Sequence, residues 1–268
     1  MIAPRLAHTI EITGPDAVAF AHAQFSSPVD KLAVGQWQFS AWLDARGRVQ
    51  ALFHLARCGD QTLIMVLRGG DGEAVAAALR RFVFRSRVSI LAAASGQLYG
   101  GPAAPLHLLC GNPDGTLGLG CGGHGMYLAS QGDEPPDWRV QQLRAGWSWL
   151  PTAELGQLLA PALSLLRLRA VVTDKGCYPG QEIVARLHFR GTHKQHLCSL
   201  ASPGAMRAGE PLRAGDRETG RVLDVVPVDS GYEALAVLDE VAMADLESGR
   251  PDVHTSGFPV QLQQVWPA

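Results

Sequence analysis

Cysteine is scarce in this chain: five in 268 residues, at positions 58, 110, 121, 177 and 198. An odd, widely spaced set in a chain of this size does not read as a disulfide framework, and a reducing compartment is expected. Charge of one sign is also missing. The 23 basic and 25 acidic residues leave a net charge of -2, so no overall basic field advertises a nucleic-acid partner. No stretch approaches the ~18 continuous apolar residues that a membrane helix needs. The segment from Met1 to Ile12 has no apolar run behind a basic start, so no signal peptide is expected. No fixed-period repeat is present, which argues against a solenoid. What is left is a globular, cytoplasmic reading, with 47% hydrophobic and 18% charged residues and enough length for a large core in one or two domains.

The pattern along the chain predicts an α+β unit. Ala7 to Thr13 reads as a strand, broken by Gly14-Pro15-Asp16, with Asp16 as helix N-cap before Ala17 to Phe25. Gln38 to Leu43 and Arg48 to Ala56 read as a hairpin around Asp44-Ala45-Arg46-Gly47. Gln61 to Leu67 is a third strand, Glu73 to Phe84 a helix and Val88 to Leu91 a further strand. This order implies a mostly antiparallel sheet. The Gly-rich run from Gly118 to Gly125 lacks a βαβ frame and a closing Lys-Ser/Thr pair, so turns between short strands are expected rather than a nucleotide loop. From about Leu197, short strands alternate with Gly, Pro and Asp turns, the habit of a small β-barrel. A domain boundary is expected near Lys194. It separates an α+β domain over 1–194, with halves roughly 1–92 and 93–194, from a barrel over 195–268.

The run Lys175-Gly176-Cys177-Tyr178-Pro179-Gly180-Gln181-Glu182 carries the chemistry. Pro179-Gly180 suits the centre of a type II turn, since proline fixes its own φ and glycine accepts the positive φ next to it. Gln181 to His188 then has helical spacing, with Glu182 and Arg186 four apart in the favourable order. A helix N-terminus and Lys175 near Cys177 would both favour thiolate over thiol. Cys177 is therefore the candidate nucleophile, redox centre or soft-metal ligand, against the common role of a lone cysteine as a small buried hydrophobe.

Other candidates are weaker. Cys121 and His124 have ligand-like spacing, but a closed zinc site would need two more ligands. His188, His193, His196 and Cys198 are dense without matching a zinc pattern, and read better as a solvated basic segment beside Arg190 and Lys194. A Cys177/His188 hydrolytic pair lacks an evident oxyanion motif. Trp147 and Trp149 read as core. Trp138, between Asp137 and Arg139, is expected to be partly exposed and able to stack on a flat ligand.

The residues from Lys175 to Gly191, KGCYPGQEIVARLHFRG, closely resemble the signature of the YgfZ family of folate-binding proteins, which in turn look like the aminomethyltransferase (T-protein) of the glycine cleavage system. Gly14-Pro15-Asp16-Ala17 with Phe20 and Gln24, the turn at Asp44 to Val49, and Trp138 followed by Ala145-Gly146 are similar to further family segments. The chain departs from the pattern at Ala7, where the family often has an aromatic residue, and after Pro161, where Ala162 to Leu165 replace two amides. The resemblance implies a folate-binding α+β domain of two related halves, a C-terminal β-barrel, and a tetrahydrofolate derivative held in a central channel. It also implies a role in maintaining or assembling iron-sulfur clusters in client enzymes, tRNA-modifying ones included. On that basis Cys177 and Lys175 would be the reactive pair, Trp138 would pack on the folate, and Tyr178, Gly180, Gln181, Glu182 and Arg186 would complete the cofactor site.

Three functions are thus in view. In the first, Cys177 serves iron-sulfur clusters transiently, because soft sulfur suits iron-sulfur centres but one cysteine cannot hold a cluster that usually takes four ligands. In the second, the protein is a tetrahydrofolate-dependent aminomethyltransferase. That reaction needs a carboxylate for proton transfer, and Asp44, a turn residue on its face, is the obvious early candidate. The third is a non-catalytic tRNA-binding module resting on the basic segment Arg186 to Lys194. The first is expected, with folate and iron-sulfur client or assembly proteins as partners and no membrane.

Overall fold

A computed structural model describes residues 5–93, 96–111, 116–129, 138–191, 194–249 and 253–267. Its first half contains β1 (Arg5–Ala7), β2 (Thr9–Thr13), α1 (Ala17–Gln24), β3 (Gln36–Leu43), β4 (Val49–Gly59), β5 (Thr62–Leu67), α2 (Gly72–Arg80) and β6 (Ser89–Ala92). The expected strand over Ala7 to Thr13 is in fact two strands in two sheets. β2 pairs with β5 and β6, in a sheet of order β3-β4-β5-β2-β6, while β1 pairs with β7 (Gly96–Gly101). Only His8 separates them, so the chain steps from one sheet to the other within a residue. A single sequence alternates identically in both strands, and only tertiary pairing distinguishes them.

The second sheet is β1-β7-β10-β9-β8, built with β8 (Leu109–Gly111), β9 (Leu117–Gly120) and β10 (Gly125–Ala129). The Gly-rich run is the β9–β10 connection, closed by Cys121 N–H donating to the His124 carbonyl at 2.9 Å. α3 (Trp138–Arg144) and an irregular stretch with short 3₁₀ turns at Thr152–Glu154 and Ala160–Leu163 lead to α4 (Gln181–Arg190).

The C-terminal part contains β11 (Gln195–Ser202), β12 (Pro211–Ala214), β13 (Arg217–Val228), β14 (Gly231–Asp239), α5 (Glu240–Glu247), β15 (Val253–Thr255), β16 (Phe258–Pro259) and β17 (Gln261–Val265). Its sheet has the order β16-β15-β12-β13-β14-β11-β17. The two edge strands, β16 and β17, are joined by the single residue Val260. The sheet must therefore curl until its edges meet, and Val260 is 1% exposed inside it. All named strand pairs among the described residues are antiparallel, which makes the fold α+β. One large apolar core joins both α+β sheets to the outer face of the barrel, with Trp37, Leu98, Trp147, Leu165, Val237 and Trp266 among its members.

Two local expectations give way. Asp16 precedes α1 but makes no side-chain cap; its carboxylate accepts instead from Arg87 N–H at 2.7 Å and Arg87 Nε at 3.5 Å. α2 ends at Arg80, four residues early, and gives way to an open loop.

Candidate functional site

The signature is clamped to the end of α1. Ser26 Oγ lies 2.8 and 2.7 Å from the carbonyls of Ala41 and Ala170, which share its one proton, and Val172 N–H donates to the Ser26 carbonyl at 3.1 Å. Lys175 then reaches back, and its Nζ donates to the carbonyls of His22, Phe25 and Ser27 at 2.5, 2.6 and 3.0 Å. Helix ends leave carbonyls without intrahelical partners and carry partial negative charge, so an ammonium is the natural cap there. Burial pushes the Lys175 ammonium down to about 8. All three of its protons are engaged, so Lys175 anchors the segment rather than donating to the Cys177 thiol.

Tyr178 is the second anchor. Its ring lies 5.2 Å from Lys175 Nζ, its hydroxyl donates to the Val172 carbonyl at 2.7 Å, and burial pushes its ionisation up. The expected type II turn is present: Gln181 N–H donates to the Tyr178 carbonyl at 3.2 Å, and Gly180 has φ 79° and ψ -1°. Glycine is required there twice over, because a Cβ would also lie 2.5 Å from the Asp44 carbonyl oxygen. Gly47, at φ 76°, faces Ile183 of α4 in the same way. The signature turn and the first hairpin turn, two segments far apart in sequence, are thus packed glycine against glycine. Gln181 Nε2 closes the loop on the Lys175 carbonyl at 3.0 Å.

Between these anchors Gly176 and Cys177 are exposed. The other thiols differ. Cys121 is buried, its thiol donates to the Leu119 carbonyl at 3.4 Å, and burial pushes it up to about 12. Cys198 is buried against the Ala236 carbonyl and is likewise pushed up. Cys58 is exposed as a residue, but partial burial and then the Glu11 charge raise its ionisation. Among the described residues no group of three His, Cys, Asp or Glu side chains is placed to hold a metal ion. The two ring nitrogens of His124 face Gln141 Oε1 at 3.2 Å and Gln142 Nε2 at 3.1 Å, so Cys121 and His124 form a turn and a core contact. His188 is exposed and stacks edge-on against Phe189, His196 is half-buried on β11, and His193 lies outside the described residues. No hydrogen bond among the described residues joins Cys177 to His188.

The expected cofactor residues separate into two groups. Tyr178, Gly180 and Gln181 hold the loop. Glu182 and Arg186 are exposed on α4, and no ion pair among the described residues joins them. Trp138 is not partly exposed. It is 2% exposed in the large core, because α3 turns it inward while Arg139 reaches Asp224 of β13 at 3.4 Å. Trp147 and Trp149 are core, as expected.

A polar centre went unread in the sequence. Arg68, just after β5, is 0% exposed. It donates to the Ser148 and Trp147 carbonyls at 2.9 and 2.5 Å, to Gln142 Oε1 at 3.0 Å and to His54 Nε2 at 2.7 Å, and its guanidinium lies 4.4 Å from the Trp149 ring. Burial pulls Arg68 down to about 9 and holds His54 well below the usual imidazole range. The available signal was a charge ending the apolar run of β5, with Gly69-Gly70 directly after it.

A cavity of about 320 Å³ opens beside the signature, lined by Pro28, Lys31, Leu32, Gln36, Trp37, Gln38, His107, Leu168 and Arg169. It connects to Lys175 through Ser27, whose carbonyl caps the ammonium and whose Oγ accepts from Gln38 Nε2 at 2.8 Å. His107 and Arg169 both sit at positive φ, 66° and 52°, a costly backbone for non-glycine residues that tends to gather at functional sites. The volume falls at the low end for small-molecule pockets. The cavity's lining offers a leucine for a flat ring, amide and imidazole groups for its edge and two cations for carboxylates, a set that fits a folate derivative, whereas Trp37 is 1% exposed and its indole N–H already donates to the Gly120 carbonyl at 2.9 Å.

No protein-family model matches the chain. It is 26% identical over 265 residues to the tRNA-modifying protein YgfZ of Klebsiella pneumoniae (strain 342), covering 85% of this chain and 81% of that protein. The corresponding protein of Cronobacter sakazakii is 26% identical over 300 residues, covering 95% and 91%. The chain is thus similar to the YgfZ proteins over most of its length. Among solved structures, the glycine cleavage system aminomethyltransferase T of Bartonella henselae has the same fold, with a TM-score of 0.68 at 15% identity over 96% of this chain and 83% of that one. No helix among the described residues is long and apolar enough to cross a membrane.

Proposed function

We propose that this protein is a folate-binding accessory factor for the assembly or repair of iron-sulfur clusters in client enzymes, tRNA-modifying enzymes among them. The observation that carries this reading is the state of the signature loop. Lys175, Tyr178 and Gln181 are fully engaged in holding it, and Cys177 stands exposed between them on a fixed turn. A thiol presented this way, with no catalytic partner and no co-ligands among the described residues, suits a brief sulfur-iron bond to a cluster that a client or a small thiol completes.

The folate derivative fits the cavity beside the signature. When bound, a tetrahydrofolate supplies ring amines that accept one-carbon units. Leu168 would meet the face of the ring, Gln38 and His107 its edge, and Lys31 and Arg169 would receive the carboxylates. Lys175, by fixing Ser27 and through it Gln38, couples the cavity to the thiol loop.

The aminomethyltransferase reading fits less well. The Asp44 carboxylate accepts from the N–H groups of Arg46 and Arg48 at 2.8 and 2.9 Å and from Gln50 Nε2 at 3.4 Å, so it is occupied in building the hairpin turn. A tetrahydrofolate titration of the wild type against Gln38→Leu tests the cofactor half of the proposal. Saturable binding that the variant weakens is expected, and absence of binding by the wild type would remove folate from the account.

A further inference from the structure

The loop between α2 and β6 has the opposite character to the signature. Arg80-Arg81-Phe82-Val83-Phe84-Arg85-Ser86-Arg87 holds four arginines and no acid. Phe84 is 85% exposed and Phe82 41%. The loop is fixed at both ends. Arg80 Nε donates to the Ile90 carbonyl at 2.9 Å and its Nη1 to Glu73 at 2.8 Å, while Arg87 is tied to Asp16 through its backbone N–H. Val83 packs into the first-half core, which turns Phe82 and Phe84 outward. The Phe82 ring meets Trp42 edge-on at 6.0 Å. Trp42 is 8% exposed and its indole N–H has no acceptor among the described residues. Arg81 and Arg85, which flank the two rings, are in no ion pair among the described residues.

We infer that this loop is a binding surface for a single-stranded segment of RNA. Exposed aromatic rings between guanidinium groups without acidic partners are what unpaired bases and their phosphates require: the rings stack on bases without regard to sequence, and the arginines meet the backbone. Charge complementarity favours a polyanion over a protein partner, since the loop offers apolar area only in company with uncompensated positive charge. The near-neutral chain carries this charge locally. The surface does not depend on the folate cavity or on Cys177.

The test is fluorescence anisotropy with labelled, unmodified tRNA at several salt concentrations. Wild type should bind saturably, with affinity falling as salt rises. Phe84→Ala should weaken binding about tenfold, as loss of one stacked base does, and Phe84→Trp should restore it. Arg81→Ala with Arg85→Ala should reduce the slope of log affinity against log salt by about 1.4, at roughly 0.7 per phosphate contact for single strands. Phe84 is too exposed for its loss to unfold the chain, and an unchanged folate titration in the same variants shows that the two sites are separate. No tRNA binding at low salt would overturn the inference. So would binding that these variants leave unchanged, binding lost only on Phe189→Ala in α4, or preferential binding to anionic phosphatidylserine vesicles.

Discussion

Two of the molecule's buried or half-buried cations, Arg68 and Lys175, do the same work to different ends. Around Arg68, four acceptors surround a guanidinium that is 0% exposed, and the groups it meets are hydrogen-bonded to it or stacked on it. Around Lys175, three carbonyls surround the ammonium just as closely, but the loop it fixes leaves one group open, the Cys177 thiol. In both places the cation is architectural. Both of these cations have their bonds made, and what sets the second apart is the exposed side chain that its bonds hold in place.

The contrast between the two cations breaks most forcefully at Arg68. Arg68→Met strands four buried acceptors, and a loss of about 3–5 kcal/mol is expected in denaturant unfolding. Lys175→Met strands the end of α1 and should cost about 3 kcal/mol, measured the same way, with folate binding weakened because Ser27 and Gln38 lose their fixed position. A loss confined to activity, with stability unchanged, would make Lys175 a chemical group after all.

Proton linkage sharpens the contrast. His54 stays neutral in the folded centre because burial, and then the Arg68 charge, depress its ionisation from 6.5. The unfolded chain takes up that proton as pH falls below 6.5, so it binds more protons than the folded state there. Stability should therefore fall with pH below 6.5, by at most about 1.4 kcal/mol per pH unit from this one group. His54→Gln should remove that part of the slope in pH-dependent melting curves. The smallest effect is expected at Asp44. Asp44→Asn keeps an acceptor for the turn and should change stability by less than about 0.5 kcal/mol, with cluster support in cells unchanged. Loss of that support would revive the transferase reading.

Much of this was legible in the sequence where geometry is local. Pro179-Gly180 dictates its turn through two backbone preferences, and the structure has it. The Asp44 turn and the hairpin it closes obey the same kind of rule, and the β9–β10 turn was readable from glycine spacing. The curled C-terminal sheet showed in its short strands and turn residues. What escaped depends on partners distant in sequence. Nothing near Arg5 says that β1 belongs to the second sheet. Asp16 has the right position for a cap, yet a residue 71 positions away takes its carboxylate. Trp138 lies between charged neighbours, but α3 buries it. Lys175 looked like a partner for Cys177 because they are two residues apart; the carbonyls it caps come from the end of a helix 148 to 153 positions earlier.

Cys177, above all, is exposed beside the anchored turn, and the proposed function gives it a task outside its own chain. The direct test is the activity of an iron-sulfur tRNA-modifying enzyme in a strain lacking this protein, rescued with the wild type or with Cys177→Ala. Because Cys177 is exposed, the variant should fold and melt as the wild type does. Normal abundance and stability with rescue lost is the expected result. Full rescue by Cys177→Ala would contradict it.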